Sequence, residues 1–323
     1  MSNKEELDVF DFAVIGAGVT GLSAGMYAGR MGLKSIVFGK SHGSELSIGG
    51  VITTTNIVEN YPGFIRLTGT ELADKIRDHA LDYKDFVKIK EEGVLDIVKK
   101  KNIFVIKTNK GEYLSRTITF ATGTKWRKLE VKGSLEFENK GVAYCALCDA
   151  PLYRNKIVAI VGGSDSAAKD ALLIAEHVKK VYIIYRGEKI HPEPINLKRV
   201  LANKKIEILN NTNIVEIKGE KFVKSVILDR VYNGSKELVV EGVFVAIGHL
   251  VLSELAKKMG VKTNKKEEII IDHKTSETNI PGVYAAGDVA DKPFKQAITG
   301  VAEGCTAAYS AFEYISKEYV IEN

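Results

Sequence analysis

Hydrophobic and polar positions along the chain form two segments that repeat one another. Asp11-Phe-Ala-Val-Ile15 is an apolar run that stops at Gly16-Ala-Gly18-Val-Thr-Gly21; a stretch of helical spacing runs through Arg30, and a second apolar run, Ser35-Ile-Val-Phe38, follows. The same order recurs as Lys156-Ile-Val-Ala-Ile-Val161, Gly162-Gly163-Ser164-Asp165-Ser166-Ala167, a helical stretch through Val178, and Val181-Tyr-Ile-Ile-Tyr185. Each segment predicts a strand, a tight glycine turn, a helix and a second strand, one βαβ unit of about 30 residues. Two such units predict two mononucleotide-binding sheets.

Short alternating runs with turn residues follow each unit. After the first come Ile103 to Thr108, Asn109-Lys-Gly111 and Tyr113 to Phe120; after the second come Phe222 to Val231, Asn233-Gly234 and Leu238 to Ile247. A further apolar run, Gly282-Val-Tyr-Ala-Ala286, ends in Gly287-Asp288 and precedes a helical stretch from Lys295 to Tyr314. It has no unit of its own, so it is expected to complete the first sheet, with the second domain inserted in the first. The expected class is α/β, with two Rossmann-like domains of the three-layer ββα type. One spans residues 1–124 and 248–323, the other 125–247. The charge runs Glu91-Glu92 and Lys99-Lys100-Lys101 read as solvated turns.

Composition sharpens this picture in two respects. With 323 residues, 45% of them hydrophobic, the chain can build two cores. Its 46 basic and 41 acidic residues leave a net charge of only +5, which gives no case for a nucleic-acid partner. No apolar run approaches the roughly 18 residues of a membrane helix, and the polar, acidic opening Met1 to Asp8 is unlike a signal peptide, so a cytoplasmic protein without membrane partners is expected.

The candidate chemistry lies at the turns and at a cysteine pair. Gly16, Gly18 and Gly21 form a GxGxxG directly after a strand and at the start of a helix. In that setting the three glycines permit a tight turn, backbone approach to a pyrophosphate, and close helix packing, with the helix N-terminus facing the phosphates. A glycine turn that serves packing only is the plainer alternative. The acidic residue expected about 20 positions on is absent: the second strand ends at Phe38-Gly39-Lys40, leaving Glu45 as a substitute. In the second turn Ser164 replaces the central glycine, which narrows the approach to a phosphate while offering a hydroxyl. A vestigial nucleotide fold is the competing reading there.

Cys145-Ala-Leu-Cys148 is compatible with a zinc half-site, a redox pair or two core cysteines. Zinc wants four ligands, and neither a second CxxC nor a paired histidine motif exists, so no metal is expected. A redox dithiol needs only these two, and the adjoining Asp149 can serve as proton donor to a leaving thiolate. Cys305, in an alanine-rich helical stretch, reads as a small core residue. Asp288, at the end of a strand, is either part of an ordinary turn or a carboxylate placed for a cofactor hydroxyl.

Taken together, these stations resemble the low-molecular-weight thioredoxin reductases over nearly the whole chain. They include GxGxxG at 16–21, Gly49-Gly50 with Thr53-Thr54-Thr55, Val58-Glu-Asn60-Tyr-Pro-Gly63, Ala121-Thr-Gly123, CxxCD at 145–149, Gly162 to Ala167, Val245-Ala-Ile-Gly248-His249, Ala286-Gly287-Asp288 and Lys295-Gln296-Ala297. The resemblance implies FAD on the first domain, at Gly16, Gly18, Gly21, Gly50, Asn60, Gly123, Gly287, Asp288, Gln296 and Ala297. It implies NADPH or NADH on the second, at Gly162, Ser164, Ser166 and Arg186. Electrons would pass through the flavin to the Cys145–Cys148 disulfide, with Asp149 assisting, and on to a thioredoxin; the assembly would be a homodimer. Two departures qualify this. Val51 stands where the family commonly has glutamine, after a longer loop from Ser41 to Ile48. Tyr185-Arg186-Gly187, followed by Ile190-His191, replaces the His-Arg-Arg stretch of NADPH users, so weak nicotinamide binding is expected. A flavin dithiol oxidase, or a disulfide reductase that does not use NADPH, is the alternative.

Overall fold

A computed structural model describes residues 8–40 and 48–321. The chain divides into two compact units, Met1–Lys125 with Val251–Asn323, and Trp126–Leu250.

The first unit opens with β1 (Val9–Ile15), α1 (Val19–Arg30), β2 (Ser35–Lys40), α2 (Gly69–Leu81), β3 (Val87–Lys100), β4 (Ile103–Thr108) and β5 (Glu112–Phe120). The chain leaves it along β6 (Thr124–Trp126). α2 starts where a capping box forms: Thr68 Oγ1 accepts from the Glu71 N–H while the Glu71 carboxylate accepts from the Thr68 N–H. β1 pairs in parallel with both β2 and β5. Its residues alternate between two cores: Phe10, Ala13 and Ile15 pack with Phe104, Ile106 and Ile118, whereas Phe12 and Val14 pack with α1. A strand buried on both faces reads as a continuous apolar run, which is how Phe12 to Ile15 appears in the sequence.

Glu91-Glu92 is not a solvated turn. β3 runs unbroken through it, pairing in parallel with β2 up to Gly93 and antiparallel with β4 from Val94. Glu92 is only 4% exposed, and its carboxylate accepts from Thr108 Oγ1 at 2.8 Å and Tyr113 Oη at 3.0 Å. The buried charge is thus hydrogen-bonded from two neighbouring strands. Lys99 and Lys100 end the same strand, and the turn holds only Lys101 and Asn102.

The second unit contains β7 (Val142–Ala143), α3 (Ala146–Asp149), β8 (Ile157–Val161), α4 (Asp165–His177), β9 (Lys180–Ile184), α5 (Pro194–Ala202), β10 (Ile206–Leu209), β11 (Ile214–Gly219), β12 (Val223–Tyr232), β13 (Ser235–Val239) and β14 (Gly242–Val245). Its main sheet has the order β10-β9-β8-β14-β7, and β11-β12-β13 form an antiparallel ribbon. The run Leu238 to Ile247, expected as one strand, is two. Leu238 belongs to the ribbon, but the Glu241 N–H donates to Ile157 O at 2.8 Å, and the chain enters the parallel sheet between β8 and β7. Apolar content is the same on both sides of that switch, so hydropathy alone does not mark it.

The chain returns along β15 (His249–Val251) and continues with α6 (Glu254–Lys258), β16 (Val283–Ala285) and α7 (Ala297–Ile321). β16 pairs in parallel with β5 and completes the first sheet, as its lack of a partner unit implied. α7 runs beyond Tyr314 and lays Ala307, Ala308 and Ala311 against the same core as α1.

Candidate active site

The first glycine turn lies where three parallel strands end together. The Ala121 N–H donates to Ile15 O at 2.9 Å and the Ala286 N–H to Phe120 O at 3.0 Å, so Gly16, Ala121–Gly123 and Gly287–Asp288 share the carboxyl edge of one sheet. Ligands of open α/β sheets bind at that edge. Gly16 has φ +114°, and a β-carbon there would stand 2.3 Å from Ala121 O; at Gly21 it would stand 1.8 Å from Gly16 O. Both glycines are therefore demanded by the protein's own packing. Gly18 is not: its φ is −71°, and among the described residues a β-carbon would find only Gly49 O at 3.8 Å and Gly50 Cα at 3.9 Å.

That room faces an unneutralised helix start. α1 begins after Gly18 with no side-chain cap and no acidic residue in its first turn, leaving its first N–H groups and positive dipole end for an anion. Gly49 bridges to Gly18, with its N–H donating to Ala17 O at 2.8 Å, so Gly49-Gly50 forms a second backbone wall. Asn60 Nδ2 donates to Gln296 Oε1 at 2.9 Å, joining two of the expected residues; Ala297 then opens α7. Gly123 has φ +62° with open space beside it, and Asp288 is half-buried. Glu45 lies outside the described residues.

The surrounding polar groups include residues the sequence reading did not single out. Glu303, 8% exposed on α7, accepts the Gly287 N–H on Oε2 at 2.8 Å and pairs with Lys292 at 3.2 Å. Lys295 Nζ donates to Asp288 O at 2.8 Å and to Glu268 Oε1 at 2.6 Å. These contacts clamp the Gly287–Asp288 backbone from both sides. The available signal was a glutamate among the small residues Ala302, Gly304 and Cys305, a charge that burial requires to be paired.

Cys145 and Cys148 are joined as a disulfide at α3. The two sulfurs are not equivalent: Cys145 is buried and Cys148 exposed, and the Cys148 N–H donates to Cys145 Sγ at 3.1 Å. A donor at that sulfur stabilises thiolate charge once the disulfide opens. Asp149 is half-buried, and burial holds its carboxyl above the usual range; Tyr153 is likewise raised by burial, and further by the Asp149 charge. A carboxyl that keeps its proton to higher pH suits a proton donor. The Cys305 thiol is free and is pushed up to about 11 by burial. Among the described residues no cluster of metal-ligating side chains forms, and no helix is long and apolar enough to cross a membrane.

The pyridine nucleotide-disulphide oxidoreductase family matches residues 10–304. The chain belongs to that family. It is similar to the thioredoxin reductase of Dictyostelium discoideum, 36% identical over 311 residues, covering 94% of this chain and 96% of that protein. Solved thioredoxin reductases are similar in fold. That of Lactococcus lactis has a TM-score of 0.89 at 32% identity and covers 95% of this chain and 99% of its own. That of T. acidophilum has a TM-score of 0.87 at 35% identity and covers 94% of this chain and 98% of its own. The two Rossmann-like nucleotide-binding domains are thus a shared architecture, and the chain is a flavoprotein disulfide oxidoreductase.

Membership of this oxidoreductase family implies a flavin and a nicotinamide nucleotide. The first turn fits a flavin dinucleotide: Gly18 leaves room that none of the described residues fills, beside an uncapped helix start. The second turn does not fit a dinucleotide in the same way. Ser164 puts a β-carbon at the approach position, and the Tyr185 ring lies against Gly163. Asp165, in the first turn of α4, accepts from the Glu193 N–H at 2.9 Å and Asn196 Nδ2 at 2.8 Å. Burial opposes its charge, but Lys169, Asn196 and the Glu193 N–H together hold the carboxyl below its usual range. Ser166 and Arg186 are exposed.

Proposed function

We propose that this oxidoreductase is a thioredoxin-disulfide reductase that uses FAD. In this reading residues 1–124 with 248–323 hold FAD, residues 125–247 carry the dithiol, and the substrate is a thioredoxin-like protein disulfide. The observation that supports it most is the Cys145–Cys148 disulfide with one exposed sulfur and a raised carboxyl beside it, in a chain whose other glycine turn is open to a dinucleotide. FAD, when bound, supplies the two electrons that open the disulfide. Gly18 and Gly50 would let backbone approach its pyrophosphate, Asp288 would accept from a sugar hydroxyl, and the Asn60–Gln296 pair, Gly123 and Ala297 would line the rest. Opening the disulfide consumes two electrons and two protons, and Asp149, next to Cys148 in sequence and raised by burial, would supply one of those protons. A thiolate of the resulting dithiol attacks the substrate disulfide, and the second thiol resolves the mixed disulfide, which releases the reduced substrate and restores the Cys145–Cys148 bond. The homodimer rests on the resemblance alone.

A second reading, a dithiol oxidase or a disulfide reductase fed by a donor other than NADPH, draws on Ser164 and on Gly187, which stands where an arginine for the 2′-phosphate is expected. Turnover of a thioredoxin disulfide with NADPH, NADH and a chemical flavin reductant, run side by side, separates the readings. Reduction with the chemical reductant and slow reduction with either nucleotide is expected. An FAD-loaded protein that reduces no disulfide with any donor would refute the proposal.

A further inference from the structure

Asp288 follows a turn residue that has no side chain to hold it. Gly287 has φ +78°, and a β-carbon there would stand 2.7 Å from Thr20 Oγ1 in the first turn of α1. The turn is held from outside, by α7. Gly300 and Gly304 let that helix lie directly on Thr20: a β-carbon at Gly300 would stand 2.5 Å from Oγ1, and one at Gly304 2.3 Å from the backbone O. This close approach sets Glu303 against the turn, where its two oxygens have separate partners. Oε2 accepts the Gly287 N–H at 2.8 Å, and Oε1 pairs with Lys292 Nζ at 3.2 Å.

On the other side, Lys295 Nζ donates to the Asp288 carbonyl at 2.8 Å and to Glu268 Oε1 at 2.6 Å. Glu268 is fixed in turn, its Oε2 accepting from Asn264 Nδ2 at 2.7 Å. Burial opposes its charge, but Lys295 and Asn264 together hold the carboxyl below its usual range. The side chains of both ion pairs are largely buried: Lys292 and Glu303 are 18% and 10% exposed, Lys295 and Glu268 26% and 13%. Ion pairs so placed are costly to desolvate and add little net stability. What they supply is charge-assisted hydrogen bonds of fixed direction, and here those bonds go to the peptide groups that flank Gly287–Asp288. Both lysines lie on the stretch from Asp288 to Gln296, whose two ends are residues read as flavin contacts.

We infer that Glu303 and Lys295 are positioning residues of the cofactor site: by holding the Gly287 N–H and the Asp288 carbonyl they fix the direction of the Asp288 carboxylate, and so set FAD affinity through Asp288. Glu303 acts at one remove, since both of its oxygens are engaged within the protein. The inference rests on the reading that Asp288 accepts from a sugar hydroxyl of FAD, and it does not depend on which disulfide the protein reduces or on the electron donor.

The test is a double-mutant cycle on FAD affinity, read by flavin fluorescence as folded apoprotein is titrated, with urea unfolding of the same apoproteins measured alongside. Glu303→Leu removes the acceptor of the Gly287 N–H, Glu303→Gln keeps one, and Lys295→Met removes the donor to the Asp288 carbonyl. With Asp288 present, Glu303→Leu and Lys295→Met are each expected to weaken FAD binding about ten- to hundred-fold, the weight of a charged hydrogen bond, and Glu303→Gln by less. With Asp288→Ala there is no carboxylate to direct, and the same substitutions are expected to weaken binding by less than about three-fold further. Equal losses in the two backgrounds would overturn the inference. So would an FAD affinity that Glu303→Leu and Lys295→Met leave unchanged while the urea midpoint falls, which is the signature of a structural role alone. Should Glu303→Leu fail to fold, Glu303→Gln and Lys295→Met decide by the same criterion, and failure of these milder variants to fold would also overturn it. A wild type that takes up no FAD would overturn the flavin reading and this inference with it, whereas a negative cycle leaves that reading standing.

Discussion

Asn60 and Gln296 are separated by 236 positions in sequence, yet Asn60 Nδ2 donates to Gln296 Oε1 at 2.9 Å. The bond ties the loop after the Gly49-Gly50 wall to the residue just before α7, so that the early and late parts of the first unit meet at one site. Gln296→Leu removes the acceptor and leaves the amide of Asn60 without it. A neutral hydrogen bond contributes about 0.5–1.5 kcal/mol, so FAD affinity is expected to fall roughly 2- to 12-fold on reconstitution of the apoprotein. An unchanged FAD affinity would separate this pair from the cofactor site.

Gly18 and Gly21 answer different demands and should fail differently. Gly21→Ala sets a β-carbon 1.8 Å from Gly16 O, a backbone atom, so α1 must shift; a loss of about 1–3 kcal/mol of stability is expected. Gly18→Ala has room, its nearest neighbours at 3.8 and 3.9 Å, and should fold with near wild-type stability while losing FAD affinity. Urea unfolding of the two apoproteins, followed by FAD titration, checks both. A Gly18→Ala protein that binds FAD as the wild type does would contradict the cradle.

Much of this site was legible in the sequence because strand, glycine turn and helix follow one another without a break at residues 11–30 and 156–178. The return of β16 to the first sheet was legible too, since Gly282–Ala286 had no unit of its own. What stayed hidden depends on partners distant in sequence. Glu91-Glu92 looks like a turn until Thr108 and Tyr113 are seen to hydrogen-bond Glu92 within β3. Leu238 to Ile247 looks like one strand because both sheets it joins are apolar. Glu303 is recognisable only once the Gly287 N–H and Lys292 lie against it. Tyr185 marks the end of β9 in the sequence, but its place between Gly163 and Gly187 is a packing relation that no spacing reveals.

Asp149 should leave its mark on the pH dependence of disulfide reduction. Burial raises its pKa, so the proton persists to higher pH than on an ordinary aspartate, and the rate is expected to fall as pH rises through that raised value. Asp149→Asn should flatten this limb and slow turnover by about 10²- to 10⁴-fold, the usual weight of general acid catalysis. A variant with the wild-type rate and profile would leave Asp149 a purely structural role.

Asp170, partly buried on α4, is pushed from 3.8 up to about 7 by desolvation. Because the folded-state value is the higher one, the unfolded chain gives up this proton more readily. The group therefore costs stability as pH rises from about 4 to about 7, and the cost levels off above that range. Asp170→Asn should raise the melting temperature relative to the wild type more at pH 8 than at pH 4. An equal difference at the two pH values would contradict the assignment.

The account stands most directly on whether electrons on the flavin leave through Cys145 and Cys148. FAD-loaded protein, photoreduced without oxygen until flavin and Cys145–Cys148 are both reduced and mixed with excess thioredoxin in its disulfide form, is predicted to produce about four new thiols on thioredoxin per flavin reoxidised, two from the dithiol and two from the flavin. Cys145→Ser and Cys148→Ser should retain their FAD and release no reduced thioredoxin, the variant that keeps the attacking cysteine stopping at a mixed disulfide. A wild type whose reduced flavin persists beside unreduced thioredoxin, or a serine variant that transfers electrons as well as the wild type, would contradict it.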